Sequence, residues 1–181
     1  MPNAELTIDC GEILLREFRV LDAEAIAEIS NMPEVSAFLP DWKASKKQRL
    51  HWLKEYEVPA NAEFLKAVPT VSGHMLKLAI VHKESGNLIG WCCSGIKDEL
   101  PEPNREIMYA VSPTYQKRGY ATRAAKGLIA YLFANTDVEL LNAIARIENS
   151  SSITVIEKSG FTPIGEIDIE GQRYKHYTIQ K

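Results

Sequence analysis

The sequence is poor in cysteine. Cys10, Cys92 and Cys93 are the only three in 181 residues, and neighbours on an extended strand point to opposite faces, so Cys92 and Cys93 are not expected to bond to each other. That excludes a disulfide framework and favours a reducing, cytoplasmic compartment. No apolar run approaches the about 18 residues a membrane span needs, and Met1-Pro2-Asn3-Ala4-Glu5 lacks the basic start and apolar stretch of a secretion leader. An excess of basic charge is missing too. With 21 Lys plus Arg against 24 Asp plus Glu, the net charge is -3, which offers no footprint for nucleic acid. Neither a membrane nor a nucleic-acid partner is expected. His51, His74, His82 and His176 occur singly, without H-E-x-x-H or zinc-like Cys/His spacing, so no metal is expected. A G-x-x-x-x-G-K-[ST] loop and a G-x-S-x-G elbow are also absent.

What is present is ordinary globular usage, 45% apolar and 25% charged. The length suits a single domain spanning residues 1–181, able to bury about 70% of its unfolded surface without staples. Strand and helix patterns are mixed throughout. Ile13 to Phe18 reads as a strand, and Asp22 is placed to cap a short helix carrying Ile26 and Ile29. A second helix is expected from Ser45 to Tyr56, with Leu50, Leu53 and Tyr56 as its apolar stripe and Lys46, Lys47, Arg49 and Lys54 as a solvated face. Pro59 to Gly73 reads as a loop. Met75 to His82 and Leu88 to Ile96 form a hairpin about Glu84-Ser85-Gly86-Asn87. The acidic loop Asp98 to Pro103 leads to a strand over Arg105–Val111. Gly119 opens the clearest helix, with Ala121, Ala124, Ala125, Leu128, Leu132 and Phe133 on one side. A strand at Leu140–Ile147, a helix at Asn149–Lys158 closed by Gly160, and a hairpin over Phe161–Ile169 and Arg173–Ile179 complete an α/β or α+β pattern.

The informative stretch is Gln116-Lys117-Arg118-Gly119-Tyr120-Ala121, a turn that enters a helix. A helix N-terminus offers unpaired N–H groups and the positive end of a dipole, so an anion docks there; an ordinary turn glycine is the alternative. The stretch resembles the Q/R-x-x-G-x-G/A segment of the GNAT superfamily of acetyl-CoA-dependent N-acetyltransferases. Asn149-Ser150-Ser151-Ser152 and Glu157-Lys158-Ser159-Gly160-Phe161 resemble the N-x-x-S…E-K-x-G-F segment of its RimJ/RimL-like branch, which acetylates ribosomal protein N-termini. The resemblance runs over nearly the whole chain and is sharpest between Glu106 and Phe161.

The resemblance implies a strongly bent mixed sheet of about seven strands with about four helices. It also implies that acetyl-CoA lies where the central strands splay apart, in the kind of cleft where ligands bind. Backbone N–H groups of Lys117, Arg118, Gly119, Tyr120, Ala121 and Thr122 would surround the pyrophosphate, with Gln116 opening the segment. Arg118 and Arg123 either add charge there or stay solvated. Tyr109, Ala110 and Val111 would receive the pantetheine arm on their backbone, and Asn149 would bond that arm, cap the following helix, or both.

An amine must lose a proton to form an amide, and a carboxylate near it can take that proton. Glu106 matches a position where relatives carry an acid; a surface glutamate is the alternative. Ser152 is the candidate donor to the leaving thiolate, because Ile156 stands where many relatives carry a tyrosine. The resemblance implies transfer of acetyl from acetyl-CoA to a primary amine by direct attack in a ternary complex. The acceptor is a protein or peptide N-terminus, or a small amine, and the enzyme a monomer or homodimer. A non-catalytic acyl-CoA sensor and a protein-interaction domain using Asp98 to Glu102 are the rival classes. Access for the acceptor is expected near the first two helices and that loop, with Glu34, Asp41, Glu99 and Glu102 drawing in a cationic amine.

Overall fold

A computed structural model describes residues 5–181. Met1 to Ala4, most of the segment on which the absence of a leader was judged, lie outside the described residues. The strands are β1 (Thr7–Cys10), β2 (Ile13–Glu17), β3 (Leu76–His82), β4 (Leu88–Ile96), β5 (Arg105–Val111), β6 (Leu140–Arg146), β7 (Thr162–Ile169) and β8 (Gln172–Gln180). They form one eight-stranded sheet in the order β1-β2-β3-β4-β5-β6-β8-β7. β1 was not anticipated, because Thr7-Ile8-Asp9-Cys10 is too short and polar to stand out; it is held as the edge partner of β2.

All neighbouring strands run antiparallel except β5 and β6, which are parallel and share a single register pair, Glu106 with Asn142. β4 stays paired with β5 from Arg105 to Val111. Past Glu106 the opposite edge of β5 therefore has no strand partner, and the sheet forks.

Alternation along the strands divides two cores. Leu76, Leu78 and Ile80 of β3 and Ile107 and Val111 of β5 meet the helix α5 (Tyr120–Asn135) through its Ala124, Ala125, Leu128, Ile129 and Leu132. Ala121 and Phe133, expected on that stripe, lie half-buried at its margin. Ala79, Val81, Trp91, Cys93 and Ala110 face the other way, onto α1 (Ala23–Asn31) and Val35 of the short α2 (Pro33–Ser36). Cys92 and Cys93 thus fall into different cores, as period-two alternation requires.

Three local expectations are corrected. Asp22 precedes α1 but its carboxylate caps nothing there: Arg16 donates to it twice at 2.8 Å, and the Arg19 N–H donates at 2.7 Å. The loop expected over Pro59–Gly73 is instead helical as far as Ala67, and only the rest is loop. Ser45 caps α3 (Lys46–Trp52) by accepting from the Gln48 N–H at 3.1 Å, and a π-type turn, Leu53–Glu57, carries the chain into α4 (Val58–Ala67). Pro59 directly follows the π-type turn, where the ladder is already irregular and a residue without an N–H interrupts it least. Arg49, expected in solvent, is 2% exposed, whereas Leu50 and Tyr56 are exposed. Among the described residues no helix is long and apolar enough to cross a membrane.

Candidate active site

The turn after β5 is built to leave its donors free. Lys117 at φ 61° and Gly119 at φ 78° take left-handed conformations that swing the chain into α5. The N–H groups of Lys117, Arg118, Gly119, Tyr120, Ala121 and Thr122 have no acceptor among the described residues. The first to be engaged is that of Arg123, which reaches the Gly119 carbonyl at 3.0 Å. Nothing lies within 4 Å of the place a Cβ on Gly119 would take, so the space before these donors is open. Six consecutive free donors at the positive end of a 16-residue helix are what an anion cradle needs.

The side chains around the cradle behave differently. Gln116 donates its Nε2–H to the Val111 carbonyl at 2.9 Å and so ties the turn to the end of β5. Arg118 lies over the Tyr115 ring at 5.5 Å, and Arg123 sits 3.8 Å from Glu12; neither lines the cavity beside the cradle.

That cavity, about 1180 Å³, occupies the fork and continues onto the sheet face opposite α5. Along it lie Lys117, Gly119, Tyr120, Ala121 and Thr122 at one end, and Glu106 and Met108 on β5. Tyr109, Ala110, Val111, Gln116, Asn149 and Ser152 also line it. Its other wall comes from the first helices and the β4–β5 loop through Glu34, Phe38, Asp41, Trp42 and Glu99. Glu102 does not reach the cavity.

Glu106 faces this cavity from the parity that also carries Met108 and Ala110. Burial pushes its carboxyl up to about 7; the Lys97 charge opposes the rise and the Glu99 charge adds to it. A carboxyl poised there can hold or release a proton near neutrality. Cys93 also lines the cavity, but burial pushes its thiol up to about 12 despite the nearby Lys77 charge, so it is no thiolate nucleophile.

Across the fork, Asn149 caps α6 (Ser150–Lys158) by accepting from the Ser152 N–H at 3.2 Å. Ile156 is packed into the core at 2% exposure and presents nothing polar to the cavity. The Tyr109 hydroxyl crosses from β5 to lie 3.0 Å from both the carbonyl oxygen and the Oγ of Ser152.

Sequence reasoning missed that side chain, having assigned only the backbone of Tyr109. It also missed Asn142, which is buried at the closed end of the fork. Asn142 donates to the carbonyls of Pro103 at 2.8 Å and Arg105 at 3.1 Å, and accepts from His176 Nε2 at 2.8 Å. A lone amide inside Leu140-Leu141-Asn142-Ala143-Ile144 was the available signal, since a polar side chain in an apolar strand needs partners. A third omission is the cluster of Arg49, Glu57 and Lys77 beside Trp42. Lys77 Nζ donates to Glu57 at 2.6 Å, and the guanidinium lies 4.9 Å from the Trp42 ring centroid.

A forked sheet with an anion cradle at its mouth and a near-neutral carboxyl near its closed end has the build of an acyltransferase. Residues 12–162 match the acetyltransferase (GNAT) domain, and the chain belongs to that family of N-acetyltransferases. The uncharacterized N-acetyltransferase YnaD of Bacillus subtilis (strain 168) is 24% identical over 153 residues, covering 84% of this chain and 81% of that protein. Spermidine N(1)-acetyltransferase of Escherichia coli (strain K12) is 35% identical over 95 residues, 48% of this chain and 51% of that protein. Among solved structures, a GNAT-family acetyltransferase from Bacillus anthracis superposes with a TM-score of 0.76 at 20% identity, over 97% of this chain and 98% of that one. Mycobacterium smegmatis RimJ, in complex with CoA-disulfide, gives 0.74 at 21% identity, over 98% and 86%. The expected mixed α/β GNAT fold is the fold observed, with the RimJ-like likeness among its neighbours.

Proposed function

We propose that residues 1–181 work as one acetyltransferase domain that moves the acetyl group of acetyl-CoA to a primary amine by direct attack in a ternary complex. The observation that carries this reading is the run of N–H groups from Lys117 to Thr122 without an acceptor among the described residues, all but Arg118 on residues that line the fork. It suits the pyrophosphate of coenzyme A, because a diphosphate needs several converging donors and a backbone without side chains in the way. Acetyl-CoA supplies an activated acyl group as its thioester. The free edge of β5 at Tyr109, Ala110 and Val111 is available to the pantetheine arm, although the Val111 carbonyl is already taken by Gln116.

Glu106 takes the proton that the attacking amine gives up, directly or through one water. Ser152 turns its hydroxyl to the sulfur as the carbon–sulfur bond breaks, and Asn149 holds the first turn of α6 in place. Two acceptor classes fit the cavity. A peptide N-terminus accords with the likeness to RimJ. A small cationic amine accords with Glu34, Asp41, Glu99 and Glu106 along the acceptor side and with the match to spermidine N(1)-acetyltransferase. Acids there raise the local concentration of a cation within a Debye length, about 8 Å at physiological salt.

The test is release of free thiol from acetyl-CoA across a panel of N-terminal peptides, polyamines and aminoglycosides. Transfer to one class identifies the acceptor; coenzyme A binding without transfer to any member overturns the catalytic reading. For the active acceptor, kcat/KM should rise with pH through about 7, as Glu106 loses its proton. Glu106→Gln should abolish that limb and lower the rate about 10²–10⁴-fold. The same raised carboxyl makes the folded state retain a proton that the unfolded state has lost, so stability should fall as pH rises from about 4.5 to about 7. The Gln variant should lack that fall.

A further inference from the structure

The first turn of α6 is held from β5 by a phenol that no helix residue supplies. Tyr109 Oη lies 3.0 Å from the Ser152 carbonyl oxygen and 3.0 Å from Ser152 Oγ, and the Ser152 N–H is fixed in turn by Asn149. Three atoms of one serine are therefore pinned, two of them across the fork in which β5 and β6 share no pair past Glu106 and Asn142. Of the other phenols lining the cavity, Tyr120 donates to Glu12, Tyr115 lies beneath Arg118, and Tyr174 stands on β8 rather than on the strand facing Ser152.

A phenol has one proton and Ser152 offers it two acceptors. The carbonyl can only accept. With the phenol proton on that carbonyl, the serine hydroxyl satisfies the second contact by donating to Tyr109 Oη, and its own proton is unavailable. With the phenol proton turned to Oγ, the serine proton is free to point elsewhere and is made more acidic by the bond it accepts. The pair thus has two arrangements that differ only in which way two hydroxyls turn.

We propose that Tyr109 is the positioning residue of Ser152, turning its O–H from the serine carbonyl to Oγ so that the serine O–H bonds the coenzyme A thiolate as it departs. This rests on the proposed role of Ser152. The carbon–sulfur bond breaks with its electron pair on sulfur, and the amine proton goes to Glu106. Neither hydroxyl loses its proton. Burial favours this, since it raises Tyr109 well above the usual phenol range and keeps it a donor at all working pH values, with the Ser152 bond opposing.

The arrangement is testable without an acceptor, by measuring the affinity of coenzyme A and of its desulfo analogue against pH. In the wild type, coenzyme A should gain about tenfold over the desulfo compound as pH rises through the thiol's ionisation, because only the thiolate accepts the charged hydrogen bond. Tyr109→Phe should erase most of that gain while binding the desulfo analogue normally and melting close to the wild type. Ser152→Ala should erase it as well, and the double variant should lose no more than either single one. No gain in the wild type would overturn the role of Ser152 and this inference with it. A gain that Ser152→Ala removes and Tyr109→Phe leaves intact overturns the inference alone. So does equal weakening of both ligands by Tyr109→Phe, which would mark a structural tie without influence on the sulfur.

Discussion

α5 presses Ala124, Ala125, Leu128, Ile129 and Leu132 onto the sheet, whereas the helical run from Lys46 to Ala67 turns Arg49, Leu53, Glu57, Asn61 and Phe64 inward. The first stripe is apolar throughout, and burial of its area alone drives it onto the sheet. The second is mostly polar and is held by specific partners. Arg49 donates to Glu57 at 3.1 Å and to the Trp42 carbonyl at 2.7 Å, and its guanidinium lies 4.9 and 5.0 Å from the Trp42 and Trp52 ring centroids. Asn61 exchanges two bonds of 2.8 Å with the backbone of Lys77. One region survives small errors of geometry; the other depends on every partner being present.

The comparison breaks most sharply at Glu57. Removing it leaves the Arg49 and Lys77 charges facing each other in a buried site, and breaking such a pair costs about 3–5 kcal/mol. Glu57→Ala should show a loss of that size in urea unfolding, while Arg49→Met/Glu57→Leu should recover part of it, because only the partly exposed Lys77 is then left without its partner. A single variant within about 1 kcal/mol of wild type would place the organising energy elsewhere.

On the apolar side, Leu128→Ala should cost about 2–5 kcal/mol, the methylenes lost plus the cavity they leave. Leu128 is fully buried. Leu50, which sequence periodicity assigns to a core stripe, is 42% exposed, and Leu50→Ala should stay within about 0.5 kcal/mol in the same assay. Equal losses at the two leucines would mean that α3 packs on the face that periodicity assigns it.

That contrast sets how much the sequence could disclose. The β3–β4 hairpin and β5 show as apolar runs between turn residues, the last hairpin and α6 by their turn and closing glycines, and α5 by its 3.6-residue apolar face, and all were legible. Arg49, Glu57 and Asn61 fall as regularly, eight and then four residues apart, but hydropathy reads a polar or charged residue as solvated until its partners are known. The π-type turn at Leu53–Glu57 and the proline after it then completed the false reading of a loop. The site divides in the same way. The candidate cradle leaves its mark in local sequence, because Gly119 supplies the left-handed φ of 78° that swings the chain into α5. Tyr109 meets Ser152 over 43 residues and Asn142 meets His176 over 34, and such pairings exist only after folding.

A milder substitution tests whether the candidate cradle itself is as local as it looks. Gly119 has φ 78° with open space where a Cβ would go, so Gly119→Ala meets no clash and bears only the conformational cost of a left-handed L-residue, about 1–2 kcal/mol. Asn tolerates that conformation better, so Gly119→Asn should cost less, and Gly119→Val, β-branched, should cost more. In thermal unfolding, Ala should lower Tm by several degrees at most for a chain of this length. If the N–H groups of residues 117–122 hold the pyrophosphate, acetyl-CoA affinity should follow the same order, because relaxing φ at Gly119 redirects its neighbours' donors. Stability that follows this order while acetyl-CoA affinity stays constant would show that the cofactor's binding energy does not reside in the turn, and the Gly119 conformation would then serve only to start the helix.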